Sequence, residues 1–198
     1  MEKGDTDKSV IVFMDAKMER VTITGEIELQ PISVADTSKL QQLMFTIYPP
    51  IYAHLWIDGG QSYLQIIYSK NNIKQELLNP QSRYFFVLYN KETVGIIKFV
   101  LDKNYRKDES KMIKLHRIYL LNTVRGKGVG SILLKWLERE IASGFEEIWL
   151  EVMDTQDKAI QFYKKLGYVI VGKATLRSIN IKAQFNGMLI MSKRINQK

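Results

Sequence analysis

The chain has 198 residues, of which 45% are hydrophobic and 25% charged, so it can bury one core of ordinary domain size and is too apolar for a disordered or fibrous chain. It has no cysteine, which excludes disulfides, thiolate metal sites and a cysteine nucleophile. The net charge of +8 is uneven: residues 1–100 carry 10 Lys/Arg against 11 Asp/Glu, and residues 101–198 carry 19 against 10. A basic half draws anions, although charge alone fits a solvated surface as well as a binding site.

In chain order, VIVFM (10–14) and VTIT (21–24) suggest two short strands or a loosely held extension. VIVFM is too short for the roughly 7 to 15 apolar residues of a secretory signal, and no run nears the roughly 20 that span a bilayer; a cytoplasmic location and no membrane partner are expected. IELQPI (27–32) alternates as a strand, and Leu40, Leu43, Met44 and Ile47 share one face of a helix that Pro49-Pro50 should stop. IYAHLWIDGG is expected as an aromatic-rich loop, followed by helices at 62–70 and 72–79. RYFFVLY and VGIIKFV flank a turn at NKET and predict a hairpin. KMIKLHRIYLL (111–121) is a strand. After RGKGVG comes a helix with a stripe of Ile132, Leu133, Trp136, Leu137 and Ile141, for which Gly144 sits as a C-cap. IWLEV, the helix DKAIQFYKKLG, and the strands YVIVG and MLIMS complete the order. This predicts a single α/β domain over 26–198 with a mixed sheet, preceded by an extension over 1–25 with no assigned role.

RGKGVG lies at a strand-to-helix junction. It lacks G-x-x-x-x-G-K-S/T, and from Gly126 and Gly128 a G-x-G-x-x-G fingerprint would need glycine where Ser131 stands. The remaining pattern is R-x-x-G-x-G: Arg125, Gly128, Gly130. Glycine allows a tight turn and close backbone approach, the first helical turn presents free N–H groups, and Arg125 and Lys127 add charge suited to phosphate oxygens. An ordinary strand-to-helix turn accounts for the six residues taken alone about as well.

With its surroundings, HRIYLLNTVRGKGVGSILLKWLEREI and IWLEVMDTQDKAIQFYKKLGYVIVG, this segment resembles the GCN5-related N-acetyltransferase (GNAT) family, over 83–193 and more loosely over 26–82. RIYL and AIQFYKKLGY look most like the bacterial polyamine acetyltransferases of the PaiA type. The resemblance implies a mostly antiparallel sheet of about seven strands in which the fourth (HRIYLL) and fifth (IWLEV) splay apart. It also implies acetyl-CoA as co-substrate, with no metal. The backbone of Ile118, Tyr119 and Leu120 would bond the pantetheine arm. Arg125, Gly126, Lys127, Gly128, Val129, Gly130 and Ser131 would hold the pyrophosphate. Tyr163 would stand near the thioester sulfur. Gln156 replaces an Asn common in relatives, so any contact it makes with the cofactor would differ in reach.

An amine attacking a thioester must be unprotonated, so the site needs a base, a desolvating pocket, or both. Of two histidines, His116 is the candidate base, one step before the segment expected to meet the cofactor. Strict alternation places it with Ile118 and Leu120, opposite Leu115, Arg117 and Tyr119. A satisfied histidine at a strand end is the plainer account. Tyr48, Tyr52, His54 and Trp56 crowd one segment that could cover an acceptor amine, with Asp58 available to pair with it, or could simply pack together. Glu151 is expected as a polar residue at a strand end. The two histidines lack metal-ligand spacing.

These readings favour an N-acetyltransferase for a small-molecule primary amine, a polyamine among them, by direct attack in a ternary complex. A peptide or protein acceptor is the second enzymatic reading. A non-catalytic CoA-binding module and a basic nucleic-acid-binding module are the others; no nucleic-acid motif is apparent, and the sequence leaves homodimerisation open.

Overall fold

The computed structural model describes residues 19–107, 111–178 and 180–195. VIVFM and part of the expected extension lie outside these residues, as does the end of the polar loop DKNYRKDES.

Eight strands form one sheet in the order β1-β2-β3-β4-β5-β6-β8-β7. They are β1 (Val21–Thr22), β2 (Ile27–Pro31), β3 (Ser82–Tyr89), β4 (Glu92–Val100), β5 (Met112–Leu120), β6 (Glu147–Met153), β7 (Val169–Thr175) and β8 (Gly187–Arg194). The strand beyond the expected seven is the two-residue β1. All neighbours are antiparallel except β5 and β6. That parallel pair holds only at Met112↔Glu147, Ile113↔Ile148 and Lys114↔Trp149. Beyond it β5 runs on to Leu120 and β6 to Met153 unpaired with one another, so the sheet splits open as expected.

Helices cover both faces, and the strand sequences show why. Along β3, Tyr84, Phe86 and Leu88 enter one core, while Phe85 and Val87 enter the other. A strand buried on both sides reads as a continuous apolar run, here YFFVLY. One core sets α5 (Val129–Trp136) and α6 (Asp157–Lys165) against β4, β5 and β6 through Leu133, Trp136, Ile160 and Tyr163. The other sets α1 (Thr37–Ile47), α3 (Gln61–Ile67) and α4 (Lys70–Leu78) against β3 and β4 through Leu40, Met44, Leu64 and Ile73.

Four expectations change in detail. The prolines stop α1 at Ile47, but Pro49 then opens another helical turn, α2 (Pro49–Tyr52), because its missing N–H costs nothing at a first helical position. The expected loop after it is short helical turn at Ala53–Leu55 followed by a bridge from Trp56 to Ile181. The helix after the glycine turn widens to a π-helical segment at Leu137–Ile141 and ends before Gly144, whose φ of +84° instead makes the turn toward β6. Strict alternation along β5 fails at a bulge, where Lys98 pairs with Arg117 but Phe99 pairs with Leu115. His116 is the extra residue, so Leu115 shares the α5–α6 core with Ile118 and Leu120, and Tyr119 packs on the α1–α4 side.

Candidate active site

The site starts at the C-terminal end of β5. The N–H of Leu121 donates to the Val94 carbonyl, a single 3₁₀ turn follows at Asn122–Val124, and the chain reverses through Arg125–Gly128 into α5. Gly126 and Gly128 have φ of +79° and +77°, and a Cβ on either would meet nothing within 4 Å. Backbone conformation therefore requires glycine there, and the space beside it is open. Among the described residues, no group accepts a hydrogen bond from the backbone N–H of Gly126, Gly128, Val129, Gly130 or Ser131. Those donors, at the positive end of α5, suit a phosphate. Gly130 serves differently: a Cβ there would come within 3.2 Å of Cζ of Phe162, so its bareness lets α6 close against α5.

Arg125 borders a cavity of about 370 Å³ with Lys158, Lys165, Gln161, Phe162 and Asp157 of α6. Lys127 turns the other way, its ammonium 4.9 Å from the centre of the Tyr89 ring. Gln156 precedes α6, its carbonyl accepting from the Ile160 N–H at 3.0 Å; its side chain makes no helix-capping bond.

Ile118, Tyr119 and Leu120 pair with Ile97, Ile96 and Gly95 of β4. Their opposite edge faces the gap, where β6 has diverged. Tyr163 stands on α6 beside this gap, 8% exposed and edge-on to Phe162 and Tyr168. Burial, then the Tyr52 hydroxyl, raises its phenol well above the ordinary range, so it stays a proton donor at any working pH. Tyr52 packs on the α1–α4 side of the sheet.

Tyr52 belongs to an aromatic stack. Tyr48 lies 4.6 Å from Tyr52 and 5.2 Å from Tyr63 between ring centres, Trp56 lies 4.7 Å from Tyr63, and Tyr119 meets Tyr48 and Tyr52 edge-on. Within it, Tyr48 and Trp56 are 4% and 2% exposed, and the Trp56 indole N–H donates to the Tyr48 hydroxyl at 3.0 Å. These two form the buried back of the stack, bonded to each other. Burial, then Tyr63, pushes the Tyr52 phenol up to about 12. His54 is exposed and stands apart from the stack, edge-on to Phe185. Asp58 is spent locally, accepting from the backbone N–H of Gly60 and Ser62.

His116, at the bulge, keeps exposed surface on a strand whose neighbours are crowded and cationic. Desolvation, then the charges of Arg117, Lys98 and Lys114, hold its imidazole well below the ordinary range, with Glu76 pulling weakly the other way. The exposed surface tempers the desolvation; the direction stands because the three cations act whether or not the ring is buried. His116 is thus neutral, and a weak proton acceptor.

The source of that field is a cluster the sequence reading did not assign. Arg117 donates two bonds to Glu76, at 2.7 and 2.8 Å, and the Lys98 ammonium reaches the same carboxylate at 2.9 Å. The side chains are 5%, 14% and 4% exposed respectively. Burial would raise the Glu76 carboxyl, but the bonds and charge of Arg117 and the charge of Lys98 override it and hold it at about 2. The available signal was a charge inside each of two apolar strands, Lys98 in VGIIKFV and Arg117 in HRIYLL. Glu151 proves to be an ion-pair partner, 2.7 Å from Lys114 at the root of the gap.

Residues 42–168 match the acetyltransferase (GNAT) family model. The chain is 30% identical over 96 residues to the uncharacterized N-acetyltransferase YjcF of Bacillus subtilis (strain 168), 48% of this chain and 62% of the length of that relative. Its fold resembles the PaiA N-acetyltransferase of Thermoplasma acidophilum in complex with coenzyme A, with a TM-score of 0.64 and 20% identity over 85% of this chain and 98% of that one. It also resembles the Salmonella typhimurium acetyltransferase that modifies the N-terminal serine of ribosomal protein L7/L12, with a TM-score of 0.66 and 12% identity over 90% and 100%. The split sheet, the glycine turn and a family match over more than half of its length lead to one conclusion: the chain belongs to the acetyltransferase (GNAT) family.

Proposed function

We propose that this protein is an N-acetyltransferase that moves an acetyl group from acetyl-CoA to the primary amine of a small molecule, by direct attack in a ternary complex. The observation that carries it is a pair of strand edges that part from one another beside a glycine turn whose N–H groups have no acceptor among the described residues. These features fit the co-substrate: open space beside Gly126 and Gly128 for a pyrophosphate, and a bare β5 edge for an amide-bearing arm. Bound there, acetyl-CoA would supply the reactive thioester.

The chain's own groups would do the rest. The turn's N–H groups and Arg125 bind phosphate oxygens. The β5 edge at Ile118–Leu120 aligns the arm. Tyr163 donates a hydrogen bond to the departing sulfur; its phenol, held well above the ordinary range, keeps its proton and stabilises a thiolate whose thiol, by analogy with cysteine, is about 8.5. Tyr52 and Tyr119 wall the acceptor side and exclude water. His116, neutral, accepts a hydrogen bond from the amine and orients it, while water carries the proton away.

A peptide or protein N-terminus is the second reading, favoured by the likeness to the enzyme that modifies L7/L12. The test is thiol release from acetyl-CoA against a panel of small amines and short peptides, with the amide identified by mass. Release with small amines and none with peptides supports the first reading. CoA binding without release for any acceptor overturns both and leaves a binding module.

A further inference from the structure

The buried cluster beneath the gap is unbalanced. Arg117 and Lys98 bring two positive charges, and among the described residues Glu76 is the only carboxylate bonded to either. The neighbouring cation Lys114 is neutralised by Glu151. The aromatic rings around the cluster, Tyr68 and Tyr84, add no charge; Arg117 lies 5.5 and 5.9 Å from their centres and Lys98 lies 5.5 Å from that of Tyr84. One surplus positive charge therefore sits almost dry between α4, β4 and β5, where solvent screens it little.

We propose that Lys98 and Arg117, clamped by Glu76, act as positioning residues whose surplus charge favours the uncharged form of an acceptor amine lying against His116. This deepens the acetyltransfer reading above and rests on it. It names an acceptor class: a monoamine, or an amine bearing a neutral or anionic group, rather than a polycation. His116 reports the field an acceptor would feel, since beyond desolvation Arg117 and then Lys98 lower its affinity for a proton. An ammonium placed there feels the same field and loses its proton more readily, without a strong base. Burial, then Arg117, pulls Lys98 itself down to about 8, so the surplus is present at neutral pH and fades above it.

The test uses the full chain with Lys98→Met and Lys98→Arg. Methionine fills the same space and leaves the bidentate Glu76–Arg117 pair, so the fold should hold. Two readouts apply. The first is the acid limb of kcat at saturating acceptor between pH 5.5 and 8, which reports ionisations of the complex, by thiol release with n-butylamine, glycinamide and spermidine. The second, independent of activity, is the His116 imidazole titration by NMR, assigned with His54→Gln. In Lys98→Met the limb for n-butylamine should move up by about one pH unit, a tenfold loss on its acid side. The His116 titration should rise, Lys98→Arg should behave as wild type, and spermidine should be the poorest of the three in wild type. A limb or a titration unmoved in Lys98→Met overturns the proposal. So does Lys98→Arg losing as much activity as Lys98→Met, which would make the neutral Lys98 amine the base. A wild type that releases thiol with no amine at any pH removes the acetyltransfer reading and the proposal together, whereas a wild type that releases thiol with an unmoved limb removes the proposal alone.

Discussion

Replacing Gly128 should separate what the glycine turn does for the fold from what it does for a ligand. Its φ of +77° lies in the left-handed region, and a Cβ there would meet nothing in the protein within 4 Å. In Gly128→Ala the fold therefore bears only the backbone strain, about 1–2 kcal/mol. Binding should lose more, because the methyl group enters the space proposed for the pyrophosphate, and any relaxation of φ turns the N–H groups of Val129 and Gly130 away. We expect affinity for acetyl-CoA to fall at least tenfold, about 1.4 kcal/mol. Gly144 supplies the control: its φ is +84°, a Cβ there also meets nothing within 4 Å, and it lies at the far end of the helix. Gly144→Ala should lose a similar amount of stability and no affinity. Calorimetry for the ligand and thermal melts for the fold measure both quantities. Unchanged affinity in folded Gly128→Ala, or an equal loss in Gly144→Ala, would refute the assignment of the turn.

Three further outcomes follow from the site. Tyr163→Phe should keep fold and acetyl-CoA affinity and lose on the order of tenfold in kcat at saturating acceptor, since a thiolate leaves tolerably without help; full turnover would return the residue to the core. His116→Ala should lower kcat/KM while keeping its acid limb, because an imidazole whose proton affinity burial and the neighbouring cations have lowered is already neutral in the working range; a limb abolished by the substitution would restore His116 as the base. Glu76→Gln should cost on the order of 3–5 kcal/mol near neutral pH by leaving two buried cations without a partner. With the Glu76 carboxyl depressed to about 2, its contribution is fully present above the unfolded value of about 4.3 and fades as pH falls through 2, so denaturant midpoints of wild type and variant should converge there and nowhere higher.

Much of the fold was legible because it is written in local periods. YFFVLY and VGIIKFV announce a hairpin, and R-x-x-G-x-G announces a tight glycine turn between a strand and a helix. What stayed hidden depends on counting residues across a neighbour. The bulge at His116 exists because β5 spends one residue more than β4 between Lys98 and Phe99, a comparison that no single strand contains. It alone decides which residues face which core, so strict alternation put Leu115 on the wrong side of the sheet. Burial of Tyr48 and Trp56 was hidden for a related reason: their segment reads as an aromatic loop until Trp56 is seen bridged to Ile181. The Glu76–Arg117–Lys98 cluster joins a helix to two strands, with Glu76 and Arg117 41 positions apart. Each charge alone looks like a solvated residue, and within an apolar strand each even looks misplaced. The misplacement was the usable signal, because a cation in the middle of a buried strand must find a carboxylate on whatever covers that strand. Here α4 covers it, and one carboxylate answers two cations, so the element that completes the packing also leaves a charge beside the gap. The same bulge that defeated the alternation is what lets His116 sit in that field on a strand otherwise committed to its two cores.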